Sequence, residues 1–225
     1  METFNKNTVI ISIVSVIAIF AFLFLVYSAT NKSSTSDVVH KEVTSVSKDD
    51  HITWSPSKKH LLVEYGDFQC PACKAYHTIL KTQIEASGSG MPEVTKNITF
   101  VFRDFPLTNI HQHAMEAVQA AEAAGRQNKF YEYGDILFDK QEEWAALPSA
   151  TDYFMKIAKQ LKLDEKKFKA DMNSAGVKNK IDSDLSSGTA ADVQGTPTFF
   201  LDGKKLEDIS SFDDFKKILS DTAKK

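Results

Sequence analysis

The chain of 225 residues holds two cysteines, Cys70 and Cys73, both in the stretch LLVEYGDFQCPAC from Leu61 to Cys73. Residues three apart on a helix share a face, so the two sulfurs are spaced to close a small disulfide. If Cys70 opens a helix, the unpaired backbone N–H groups and the helix dipole favour its thiolate. The pKa then falls, and the sulfur becomes both a good nucleophile and a good leaving group. Pro71 suits the first helical position, where a missing N–H costs nothing. On this reading Cys70, the outer sulfur, exchanges with substrates, and Cys73, one turn in and more buried, resolves the mixed disulfide. Two other readings compete. A structural bridge over two intervening residues would restrain the unfolded chain little. A zinc half-site would need two more ligands, and the histidines offer no suitable pair. His111 and His113 are two apart and would point to different sides of a helix. The redox reading is preferred, and no metal site is expected.

Strands and helices must place that pair. His60 to Phe68 contains a near-continuous apolar run of strand length, which suits a central strand covered on both faces. Gly66 and Asp67 break it, and a helix is expected from Cys70 to Ala86, stopped by Gly88-Ser89-Gly90. Ile98 to Phe105 reads as a second strand, closed by Pro106. From Thr108 to Asp192 the periodicity is helical, with stripes such as Phe130, Tyr133 and Leu137, a cap expected at Ser149, and breaks at Gly125, Pro148, Asp164 and Gly176. Thr198 to Leu201 and Lys204 to Leu206 form a hairpin about Asp202-Gly203. Phe212, Phe215 and Leu219 mark a last amphipathic helix, capped by Ser210 or Ser211. His51 to Trp54 is a candidate first edge strand, with Trp54 as a packing residue.

The remaining sequence concerns address and excluded classes. A hydrophobic content of 42% with 11% aromatic residues suffices for a packed core, and a net charge of −3 gives no basic excess for nucleic acid. Thr8 to Tyr27 carries no charge, Pro or Gly over the roughly 20 residues that cross a bilayer core. It is expected to be one membrane span; the competing reading is a cleaved signal peptide with Val26 and Ser28 before the cut. Lys6 and the α-amino group before the span, against Lys32 just after it, slightly favour an inside N-terminus, which leaves the bulk of the chain outside the cytoplasm. Asn31 to Ser57 is rich in Ser, Thr, Lys and Asp and suits a flexible tether. Neither a G-x-x-x-x-G-K-[ST] nor a G-x-S-x-G motif occurs, so phosphate and serine-hydrolase chemistry have no support. Glu142 and Glu143 read as a solvated helix face.

LVEYGDFQCPAC, followed at a distance by GTPTFFLDG, resembles the thioredoxin superfamily. The long helical block between them resembles the DsbA-type thiol:disulfide oxidoreductases, in particular the membrane-anchored BdbD-like branch. The resemblance covers about Ile52 to the C-terminus. It implies an α/β thioredoxin-like fold, a central mixed sheet flanked by helices with a large all-helical insertion, preceded here by one N-terminal transmembrane helix. The implied domains are residues 1–30 as stub and anchor, 31–51 as linker, and 52–225 as the catalytic domain with its insertion at about 108–192. It also implies a cis peptide before Pro197, with backbone groups around Thr196 pairing an extended substrate peptide as an added strand. Glu64 matches the glutamate that this family carries beneath its active site; buried in an apolar strand, its pKa should rise, and it would relay a proton to or from Cys73.

The implied activity is a protein dithiol oxidase that introduces disulfides into translocated proteins, with no cofactor. A quinone-linked thiol oxidase in the cytoplasmic membrane would reoxidise it. One departure is Ala72, where DsbA itself has a histidine, which removes one source of thiolate stabilisation. His77, a turn beyond Cys73, is expected to pack or solvate the helix. Two alternatives use the same residues: a membrane-anchored reductase or isomerase running the exchange in the other direction, and a tethered peptide-binding module with a passive disulfide.

Overall fold

The computed structural model describes residues 16–24, 38–57, 59–207 and 209–225. The chain divides into two compact units at Ser34. In the first, residues 16–24 form a helix, α1, with Val16, Ile17, Phe20 and Phe24 exposed. The rest of the expected span Thr8 to Tyr27 lies outside the described residues. Among the described residues no helix is long and apolar enough to cross a membrane.

The second unit is built on five strands: β1 (Ile52–Trp54), β2 (His60–Gly66), β3 (Ile98–Asp104), β4 (Thr198–Leu201) and β5 (Lys204–Lys205). Their order is β1-β3-β2-β4-β5. β2 and β3 are parallel, while β1, β4 and β5 pair antiparallel with their neighbours. The expected central strand is thus β2, buried from Leu61 to Gly66. Its alternation splits the core. Leu62 joins Phe100, Phe199, Phe215 and Leu219 on one face. Leu61, Val63 and Tyr65 join Val101, Phe200, Ala191 and Val193 on the other. The turn Asp202-Gly203 has both residues at positive φ, 51° and 82°, the backbone of the two-residue hairpin expected there.

Between β2 and β3 lie α2 (Pro71–Ile79), a wider π turn (Leu80–Ile84) and α3 (Pro92–Asn97). α3 is too short for its periodicity to stand out in the sequence. The helical block comprises α4 (Ala114–Gly125), α5 (Phe130–Asp139), α6 (Gln141–Ala145), α7 (Thr151–Gln160), α8 (Glu165–Met172) and α9 (Ala175–Ala190); α10 (Phe212–Ala223) closes the chain. Ser211 caps α10, accepting from Asp214 N, as expected.

Three local expectations are corrected. Ser149 does not cap α7: Ala150 precedes its first residue and no side chain caps it. Gly176 does not break a helix, because Ser174 starts α9 by accepting from Val177 N, and the cap sets the boundary instead. The stretch 38–51, read as tether, packs on the domain. Val39 bridges to Lys204, Val43 is buried, and Asp50 sits against Arg103 at 2.9 Å with both side chains almost wholly enclosed. Its apolar residues are too sparse to show a period, so composition alone reads as linker.

Phe68, just past β2, couples the sheet to the helical block. Its ring stacks on Phe102 at 4.9 Å and lies 5.1 Å from Phe138 and 6.2 Å from Phe130. Phe68→Ala removes a fully enclosed ring from this cluster and is expected to cost about 3–5 kcal/mol of stability, read by urea unfolding.

Candidate active site

Cys70 is the N-cap residue of α2, in extended conformation (φ −75°, ψ 121°), and Pro71 takes the first helical position. The chain reaches this geometry through an Asp67 turn. Cys70 N donates to Asp67 O at 3.0 Å, and Gln69 N donates to the Asp67 carboxylate at 2.7 Å. From the helical block Gln141 Nε2 donates to Phe68 O at 2.8 Å and to Cys70 O at 3.0 Å, which pins the backbone entering the helix. Both cysteines are thiols here. Cys70 is 6% exposed and Cys73 fully enclosed, so one sulfur can meet a partner and the other is held behind it.

Thr196 and Pro197, distant in sequence, lie at the same place. The Thr196–Pro197 peptide is cis, and the Cys70 thiol donates to Thr196 O at 3.2 Å. The Thr196 hydroxyl is buried beside Cys70, where Thr196 supports the thiolate. Beyond Pro197 a shallow groove of about 460 Å³ runs past Tyr76, Phe199, Leu206 and Ile209.

Electrostatics separate the two sulfurs. The Cys70 pKa falls to about 5, chiefly because the Cys73 thiol donates to it; burial opposes this, and Thr196 and the backbone N–H groups of Cys73 and Ala72 assist. Cys73 moves the other way, well above its ordinary value. Burial is the main cause, with its bond to Cys70 and the Glu64 charge adding to it. Glu64 is 2% exposed on the central strand, between Phe102 of β3 and Phe199 of β4 in register. Burial between those rings raises its pKa to about 8, with the Cys70 charge adding to the rise, so at neutral pH it keeps its proton. The structure therefore gathers all five residues singled out from the sequence: Cys70, Cys73, Glu64, Thr196 and Pro197.

His77 instead stacks on Phe138 at 4.7 Å and faces Asp135, as packing required. Glu142 is exposed but pairs with Lys74, one residue beyond Cys73. His111 and His113 are not on a common helix: His111 lies in the β3–α4 loop and His113 precedes α4. Sequence reasoning missed Asp67, Gln69, His111 and Gln141. Asp67 carried a weak signal as the polar residue of the turn after β2, whereas Gln141 carried none.

The strand order and the placement of the pair at a helix mouth beside a cis proline define the class, a thioredoxin fold with a helical insertion. The chain belongs to the thioredoxin family, which matches residues 31–221. Solved structures that share this fold include BdbD and DsbA proteins. Oxidised BdbD from Bacillus subtilis is 19% identical, with a TM-score of 0.63 over 79% of this chain and 95% of that one. Alpha-DsbA1 from Wolbachia pipientis is 20% identical, with a TM-score of 0.60 over 79% of this chain and 94% of that one. Among curated proteins, the Na(+)/H(+) antiporter NhaA 1 of Salinispora arenicola is 33% identical over 156 residues. That match covers 69% of this chain and 22% of the antiporter, so the chain spans under a quarter of that relative's length.

Proposed function

We propose that this protein is an extracytoplasmic thiol:disulfide oxidoreductase that introduces disulfides into translocated proteins through the Cys70–Cys73 pair. The observation that carries the reading is Cys70 at the mouth of α2 beside the cis Thr196–Pro197 peptide with Cys73 enclosed behind it, an arrangement that moves the Cys70 pKa down to about 5 and that of Cys73 up. A stabilised Cys70 thiolate favours the dithiol over the disulfide, and a couple that prefers to be reduced passes its disulfide on.

The steps balance within the enzyme and its substrate. A substrate thiolate attacks Cys70 of the Cys70–Cys73 disulfide; an S–S bond forms to Cys70, and Cys73 leaves as thiolate. Glu64, protonated at neutral pH, passes its proton to Cys73. A second substrate thiolate then attacks the substrate sulfur of the mixed disulfide. The substrate disulfide forms and Cys70 departs as a stable thiolate, so two electrons have moved from substrate to enzyme. An extended substrate would lie along Thr196 and Pro197. Reoxidation falls to a quinone-linked thiol oxidase in the membrane, and the apolar segment Thr8 to Tyr27 would hold the domain near it as a single-pass anchor in the cytoplasmic membrane.

Catalysed oxidation of a reduced, unfolded protein containing cysteines tests the proposal. The oxidised protein should restore native disulfides faster than glutathione disulfide alone, and failure to do so would sink the oxidase reading. Glu64→Gln should slow opening of the enzyme disulfide on the order of 10²-fold near pH 7, because the departing Cys73 thiolate loses its proton donor. The same variant has a stability signature. Folded Glu64 holds its proton to about pH 8 while its ordinary value is 4.5, so wild-type stability falls as pH rises through that window. Glu64→Gln should flatten that fall in denaturant titrations.

A further inference from the structure

We infer that His111, acting through Asp67, is a positioning residue for the Cys73 sulfur. The inference rests on the disulfide-exchange reading and adds to it a control from the helical side of the molecule.

Asp67 is wholly enclosed, and its side chain and backbone serve different partners. One carboxylate oxygen accepts from Gln69 N at 2.7 Å; the other accepts from Leu107 N at 2.8 Å and faces His111 Nδ1 at 2.7 Å. Its backbone N–H points at the Cys73 sulfur, 3.5 Å away. Among the described residues the Asp67 N–H is the backbone donor to that buried sulfur, and a thiolate there has little else to offset its desolvation. The direction of the N–H follows from the orientation of the Asp67 peptide, which the carboxylate anchors by three bonds.

Two of those bonds come from the loop between β3 and α4. His111 is held there by its own N–H to Leu107 O at 2.9 Å, and Ala114 N closes back on His111 O at 3.2 Å. A second tie runs in parallel: His113 N donates to Gln69 Oε1 at 2.7 Å, and the His113 ring reaches Leu147 O at 2.8 Å. The loop that starts the helical insertion thus grips the turn that aims the N–H. When Cys73 leaves the disulfide, its developing charge meets a donor already in place, and no reorganisation is needed at that moment. The bond that breaks is Cys70–Cys73 and the bond that forms joins Cys70 to the attacking thiolate, as above; His111 itself exchanges no proton or electron.

The test uses three variants of the full chain. His111→Ala removes the donor, His111→Leu removes it but keeps bulk, and His111→Asn keeps an N–H near the Nδ1 position. Each is equilibrated with glutathione and timed for opening of its disulfide by dithiothreitol. His111→Ala and His111→Leu should slow opening about tenfold, the scale of one lost bond to a charged group, and leave the equilibrium constant for reduction within about twofold of wild type, because Cys73 ends as a thiol at neutral pH. His111→Asn should recover most of the rate. A merely structural histidine would alter melting temperature and leave the opening rate unmoved. Should His111→Ala fail to fold, His111→Leu against His111→Asn decides the matter: opening rates within about twofold of wild type in both overturn the inference. A wild-type protein that does not exchange with glutathione at all would instead remove the oxidoreductase reading beneath it.

Discussion

Cys73→Ser is expected to accumulate a mixed disulfide through Cys70, while Cys70→Ser loses exchange altogether, down to the uncatalysed background. The asymmetry follows from geometry. Cys70 stands at the open end of α2 and reaches the surface beside Thr196; Cys73 is fully enclosed behind it. An incoming disulfide can be attacked only by the outer sulfur, and without Cys73 nothing inside the protein displaces the product. Nonreducing gels and mass spectrometry of Cys73→Ser after incubation with a disulfide-containing peptide should show the adduct on Cys70. An adduct on Cys73 in a Cys70→Ser protein would reverse the assignment.

Alkylation should separate the two thiols by about three orders of magnitude at pH 6. With a pKa of about 5, Cys70 is about nine-tenths thiolate there, whereas Cys73, raised well above 9.0, is thiolate in fewer than about one molecule in a thousand. The thiolate is the reactive species, so iodoacetamide labels Cys70 first, and its rate should fall with a midpoint near pH 5. A linked effect appears in stability. A thiol with a lowered folded pKa stabilises the reduced fold at pH above the ordinary thiol value, and that stabilisation is lost as pH falls through the folded value. The stability of reduced protein relative to oxidised protein should therefore shrink from pH 9 down to about 5, as followed by thermal unfolding of both forms.

Much of this architecture was legible because local signals agreed. The apolar run before Cys70, the β-branched and aromatic strand from Ile98, and the Asp202-Gly203 turn each specify one local structure, and together they leave little freedom in sheet order. The paired cysteines and the Thr196-Pro197 segment were legible through motif and resemblance. What the sequence hid is what depends on long-range contact. Asp50 reads as a polar linker residue until it meets Arg103, 53 positions away. Gln141 looks like any helix-surface glutamine, yet it holds Phe68 O and Cys70 O across more than 70 positions. His111 reads as part of a helical block, but its loop is drawn to the active-site turn by Asp67. Such side chains act on distant backbone groups, and nothing in their own neighbourhood announces it.

The direction of electron flow is the central claim, and the reduction potential of the Cys70–Cys73 couple tests it most directly. The nucleophilic cysteine of thioredoxin titrates near 7 in a couple of about −270 mV. A Cys70 thiolate formed near pH 5 stabilises the reduced state by about 2 kcal/mol more at pH 7, which corresponds to about 40 mV. Equilibration with glutathione buffers, quenched and counted by mass spectrometry, should give a value at least about 40 mV above that of thioredoxin. A potential at or below thioredoxin's would contradict the account and make the protein a reductant.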